Sequence, residues 1–134
     1  MAANTSPIFI LTPKSPSVRF STANTNRDGS TGTYGALFTA GSNGSFFKGF
    51  QWQAEGNVTA GAIRLYVQDA GSGNVEMIYE AVIAATTFSA GVTAAARGVW
   101  YPPAGIMLSA LSVVKVSTHI GETYSASLIG GGDF

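Results

Sequence analysis

The chain has no cysteine, which removes disulfides, thiolate metal sites and cysteine nucleophiles at once. It has one histidine, His119. A metal site built on it would need carboxylates from Asp69, Glu76, Glu80 or Glu122 to converge there, and their spacing gives no reason to expect that. Charge is scarce as well. Only 10% of residues are charged, against roughly a quarter in an ordinary soluble domain, and seven basic residues balance seven acidic ones. With no basic stripe there is no electrostatic footprint for nucleic acid or an anionic membrane, so neither is an expected partner. No apolar run approaches the roughly 18 residues of a membrane helix. Residues Met1 to Ser6 carry neither a positive charge nor a long apolar stretch, so no secretory signal is expected, and synthesis in a cytoplasm is. No repeat of fixed period is visible, which argues against propellers and solenoids.

What is abundant is apolar and small. Hydrophobic residues make up 46% of 134, and 17 are glycine. That length is one domain, able to bury about two-thirds of the surface its unfolded chain exposes. At a formal net charge of zero, copies repel one another weakly, so a homo-oligomer or assembly is expected.

The pattern is period two. From Ser42 to Asp69 two strands are expected, joined by a polar link from Glu55 to Gly61. In the first, Phe46, Phe50, Trp52 and Ala54 share a parity, opposite Phe47, Gly49, Gln51, Gln53 and Glu55, and Lys48 is the polar intruder on the apolar side. In the second, Ile63, Leu65 and Val67 alternate with Ala62, Arg64, Tyr66 and Gln68. Successive Cβ atoms of a strand point to opposite faces, so one face is core. Further strands are expected at Ser17 to Thr22, Thr33 to Thr39, Val75 to Ala84 with Glu76 and Glu80 outward, Gly98 to Tyr101, within Gly105 to Val116, and Thr123 to Ile129. Pro7 to Thr12 is an apolar run bracketed by Pro7, Pro13 and Pro16, hence an edge strand or an arm. Thr86 to Ala96 is a loop, a strand or a helical turn, and Gly130 to Gly132 should end regular structure. The expected fold is all-β, a jelly-roll-like antiparallel β-sandwich of about eight strands, with residues 1–16 as arm and edge strand and 17–134 as one sandwich domain.

Candidate chemistry is thin. Asn24-Thr25-Asn26-Arg27-Asp28-Gly29-Ser30 spaces oxygen side chains as calcium loops do, but Gly35 stands where a bidentate glutamate is needed and Arg27 intrudes, which favours an Asx-rich turn. His119 lacks a Gly-x-Ser-x-Gly partner and is expected to cap a strand with Thr118 and Glu122, bonding a backbone carbonyl. Glu76 and Glu80 are four residues apart on a strand, too far for paired glycosidase acids. Gly71-Ser72-Gly73 is a hairpin turn, lacking the lysine of a phosphate loop. Trp52, Tyr66, Tyr79, Trp100 and Tyr101 could stack on sugar rings, although most are needed in the core. No enzyme activity, cofactor or metal is expected.

Five stretches carry a resemblance: STANTNRDGSTG from Ser21 to Gly32, LFTAGSNGS from Leu37 to Ser45, TAGAIRLYV from Thr59 to Val67, STHIGET from Ser117 to Thr123, and the terminal GGGDF. They resemble small virion structural proteins encoded by tailed bacteriophages and prophages, over most of the chain and least between Ala85 and Val113. These motifs are turns and strand edges, so no active residues carry over. The resemblance implies a virion location, and most specifically a head decoration or cement protein, a β-sandwich usually in trimers that clamps the major capsid protein or other virion proteins. Capsid and subunit contacts would then fall on the apolar arm Pro7, Ile8, Phe9, Ile10 and Leu11 and on Asp133 and Phe134. A tail, collar, baseplate or fibre component, the last with a sugar-binding role, is the alternative.

Overall fold

A computed structural model describes residues 9–134, so Pro7 and Ile8 lie outside the described residues. The described residues form twelve strands and no helix: β1 (Thr12–Pro13), β2 (Ser17–Phe20), β3 (Gly35–Thr39), β4 (Ser45–Phe47), β5 (Phe50–Ala54), β6 (Gly61–Gln68), β7 (Val75–Ile83), β8 (Arg97–Trp100), β9 (Ile106–Leu108), β10 (Val113–Thr118), β11 (Tyr124–Leu128) and β12 (Gly131–Asp133). All neighbouring strands pair antiparallel, in three four-stranded sheets ordered β2-β11-β5-β8, β3-β10-β6-β7 and β1-β12-β4-β9.

The first and third sheets repeat one order, since β1 runs into β2, β4 into β5, β8 into β9 and β11 into β12. Hydrogen bonds cross the joint: Leu128 N–H donates to Pro16 O (3.0 Å), Ile129 N–H to Gly49 O (2.8 Å) and Lys48 N–H to Gly130 O (3.2 Å). They are one bent sheet. Counting each broken strand once leaves eight strand paths, ordered first-eighth-third-sixth on one layer and second-seventh-fourth-fifth on the other. That is the order of an eight-stranded jelly roll, as expected.

The bend corrects the first organising strand. Lys48 and Gly49 separate β4 from β5, and the break shifts the inward parity from Phe47 to Phe50, both fully buried. Phe46 therefore lies on the outer face, and Lys48 is exposed at the joint. β7 carries a bulge opposite Leu65 and Tyr66, which pairs Arg64 with Glu80 but Val67 with Glu76. The two glutamates accordingly sit on opposite faces of the sheet. The Thr86 to Ala96 stretch is irregular, carrying only isolated bridges from Thr86 to Val58 and from Ser89 to Thr93.

The glycine-rich end is a further correction, because Gly131 and Gly132 form β12 between β1 and β4. A Cβ on Gly132 would stand 2.2 Å from Thr12 O, and its φ of 158° lies in a region that favours glycine. Here glycine permits a close strand approach; it does not mark the end of a strand.

Between the layers, Phe47, Phe50, Leu65, Val114, Val116 and Tyr124 are essentially fully buried. Each contributes about 1.5–3 kcal/mol by leaving water. Phe20 stacks on Tyr124 at 5.7 Å within one layer, and Phe50, edge-on to Tyr79 at 5.4 Å, ties that layer to the other.

Candidate functional site

Of the two faces of β6, alternation makes one core and the other polar. The polar face is buried too: Ala62, Arg64 and Tyr66 are all buried, Arg64 and Tyr66 beneath the loop between β2 and β3, to whose Asn24 and Asn26 carbonyls they donate. That loop is folded by its own side chains. Asn24 donates from Nδ2 to Thr31 O (3.1 Å) and Thr33 O (3.0 Å), while its Oδ1 accepts from Asn26 N–H (3.0 Å). Asp28 accepts the Thr31 hydroxyl and the Thr31 and Ser30 amides, which hold its carboxyl well below the usual range. The oxygens that a calcium loop would aim at an ion are thus spent on the turn itself, and among the described residues no group of three or more His, Asp or Glu gathers as a metal site.

Beneath the loop lies the most densely charged cluster of the described residues. Arg64, with a side chain only 5% exposed, donates from Nε to Glu80 Oε2 (2.6 Å), from Nη1 to Asn24 O (3.3 Å) and from Nη2 to His119 Nδ1 (3.1 Å). Arg27, reaching back from the loop, pairs with the same Glu80 oxygen. The guanidinium of Arg64, then that of Arg27, lowers the Glu80 pKa. Because an arginine can only donate, His119 Nδ1 must accept, which fixes the proton on Nε2. The expected bond from the His119 ring to a backbone carbonyl is therefore replaced by one from a guanidinium. The backbone N–H of His119 instead bonds Ala62 O, and Glu122 receives the amide and hydroxyl of Thr59. An open groove of about 360 Å³ borders the cluster along Ala60, Gly61, Ala62 and Val82. The imidazole is committed to a cation and the carboxylate to two of them, so the arrangement clamps a loop and activates no nucleophile.

Two smaller clamps follow the same logic. Asp69 accepts Ser72 N–H (2.8 Å) and the Ser109 hydroxyl (2.5 Å), tying the β6–β7 turn to the β9–β10 turn. Asp133 accepts Lys14 Nζ (2.7 Å), the Ser45 hydroxyl (2.5 Å) and Gly41 N–H (3.1 Å). Lys14, then Ser45, lowers its pKa.

The expected contact residues divide. Phe9 and Leu11 are 67% and 76% exposed, while Ile10 lies against Gly132. The Asp133 carboxylate is turned into its clamp, and Phe134 is half-buried with its N–H on Gly44 O. Between β4 and the β8–β9 turn of the bent sheet, Phe46, Lys48, Tyr101, Pro102, Ala104 and Gly105 line an apolar groove of about 450 Å³. Of the five aromatics considered for sugar stacking, Trp52 and Tyr66 are buried, Tyr79 and Trp100 pack on each other at 5.0 Å, and only Tyr101 is exposed. No protein-family model matches the chain, and no curated protein matches it.

Proposed function

We propose that this chain is a structural component of a tailed-bacteriophage particle, a head decoration protein that works by binding repeated neighbours and not by catalysis. The observation that supports this most is where the resembling stretches fall. Ser21 to Gly32, Thr59 to Val67 and Ser117 to Thr123 are distant in sequence, yet they meet at the clamp of Asn24, Arg64 and His119. Leu37 to Ser45 and the terminal GGGDF meet at the clamp of Asp133. The resemblance therefore resides in the devices that hold the loops of a jelly roll, the part that a shared architecture would retain. Exposed apolar side chains at Phe9, Leu11, Tyr101 and Met107, on a body with little charge, suit burial against other subunits. Mass spectrometry of purified particles, followed by add-back of the purified chain to stripped heads, tests the reading. Retention on heads at saturating stoichiometry is expected, and absence from particles would end it. Retention on tails alone would favour a tail or collar component.

A further inference from the structure

We propose that His119 is a proton-sensitive latch on the loop between β2 and β3: it holds the loop closed while its imidazole is neutral and lets the loop swing off β6 when the ring takes up a second proton. The latch stands on the geometry of the clamp and is independent of the virion reading.

The closed loop accepts only one form of the ring. Arg64 Nη2 reaches His119 Nδ1 at 3.1 Å, and a guanidinium has no lone pair to offer, so the bond exists only while Nδ1 is unprotonated. A proton there removes the acceptor and sets one cation against another. Arg64 has no local retreat. Its side chain is 5% exposed, its guanidinium is a rigid plane, and its other bonds run to Glu80 Oε2 (2.6 Å) and Asn24 O (3.3 Å). Movement away from His119 therefore pulls it off the Asn24 carbonyl, and Asn24 is the residue that folds the loop through Thr31 O and Thr33 O.

The charges around the ring do not compensate a second proton. Glu80 from β7 is taken by Arg64 and by Arg27 of the loop, Glu122 accepts the amide and hydroxyl of Thr59, and Asp28 is folded into its own turn. Tyr66 from β6 donates to Asn26 O, and Lys115 of β10 lies over the Tyr34 ring. Among the described residues no carboxylate pairs with the imidazole. The ring is half-buried and borders the 360 Å³ groove, which gives solvent protons a path to it. A closed loop takes only the neutral ring and an open loop takes either, so falling pH favours opening. Histidine ordinarily titrates between about pH 5 and 8, above the carboxylates, so the loop moves while the sandwich still stands. Its root stays attached, with Asn24 N–H on Thr118 O at 2.8 Å.

Amide hydrogen exchange on the full chain from about pH 7.5 to about pH 5, corrected for the intrinsic rate, tests the latch. Protection of the Asn26 amide, bonded to Asn24 Oδ1, should fall about tenfold per pH unit once pH is below the ordinary imidazole value of about 6.5. Leu65 and Val116, on the paired strands β6 and β10, should keep theirs. His119→Asn offers an oxygen acceptor that does not titrate, and should hold the loop's protection constant over the same range. The wild-type chain supplies a second measure that no variant can spoil, because a single histidine makes the ring signals unambiguous by NMR. Wherever the ring titrates, the Asn26 signals should shift toward unfolded values with the same midpoint. Constant protection in the wild type, an asparagine variant that loses protection as the wild type does, or a ring that titrates while the Asn26 signals stay fixed would each overturn the proposal.

Discussion

Arg64→Ala removes the centre of the loop clamp, and its cost can be worked from the contacts. Three donors are lost, to Glu80, to the Asn24 carbonyl and to His119 Nδ1, from a side chain that is 5% exposed. A buried polar group deprived of its partner costs about 1–3 kcal/mol. Breaking a fully buried ion pair costs about 3–5 kcal/mol. Glu80 retains Arg27 and has a side chain 28% exposed, so water and the second guanidinium offset part of that loss. The expected destabilisation is about 3 kcal/mol, a large part of the 5–15 kcal/mol that holds a domain together. It should lower Tm by about 10 °C. Arg27→Ala is the control. Its side chain is 58% exposed, and its removal should cost under about 1 kcal/mol. Arg64→Lys should recover little, because one ammonium cannot reproduce three divergent bonds. Urea unfolding gives the energies, and hydrogen exchange at the Asn26 amide, bonded to Asn24 Oδ1, reports the loop directly. If Arg64→Ala proved no more costly than Arg27→Ala, or the Asn26 amide kept its protection, the clamp would not be the device described.

Acid should unfold the protein through the same carboxylates. Glu80 and Asp133 have folded pKa values below their ordinary 4.5 and 3.8. Below those ordinary values the unfolded chain takes up protons that the folded one refuses, so stability should be level near neutrality and fall once pH drops beneath about 4.5. Urea midpoints against pH should show this limb, with a shallower slope in Glu80→Gln; superimposable profiles would contradict it. Gly132→Ala should cost about 2 kcal/mol or more, since the new Cβ meets Thr12 O at 2.2 Å and φ is 158°. Faster exchange at the Leu11 amide would show β1 leaving β12, and an alanine variant as stable as wild type would argue against that strand pair.

The sandwich was legible because alternation is local. Phe50, Trp52 and Ala54, and Ile63 and Leu65, point inward as their parity requires. What alternation could not reveal was any insertion that resets its phase. The Lys48–Gly49 joint and the β7 bulge each shift the pattern by one residue, which moved Phe46 and Glu76 to unexpected faces. Lys48 was the available sign, since a charge within an apolar parity marks the place where the parity ends. The clamps were less legible. Asn24 meets Arg64 across 40 residues and Gly41 meets Asp133 across 92, and such pairings leave no trace in spacing. Local turn chemistry did show through: Asp28 holds its own loop as an Asx-rich turn should.

Those clamps explain how so little charge suffices. Among the described residues, four ion pairs are present: Lys14–Asp133 and Arg27–Glu80 tie a terminal strand and a loop to the sandwich, and Arg64–Glu80 joins β6 to β7 beneath that loop. Two layers of a jelly roll are held by apolar contact, but its long crossing loops bury backbone polar groups that hydrophobic packing cannot satisfy. Spending those ionic groups on the loops leaves the β1-β12-β4-β9 half of the bent sheet's outer face with Phe46, Met107 and Tyr101 at its surface, while Arg19 and Arg97 stand on the other half. The allocation that fixes the loops therefore also produces the apolar face, so a surface charge introduced at Met107 should leave stability unchanged while weakening any association through that face.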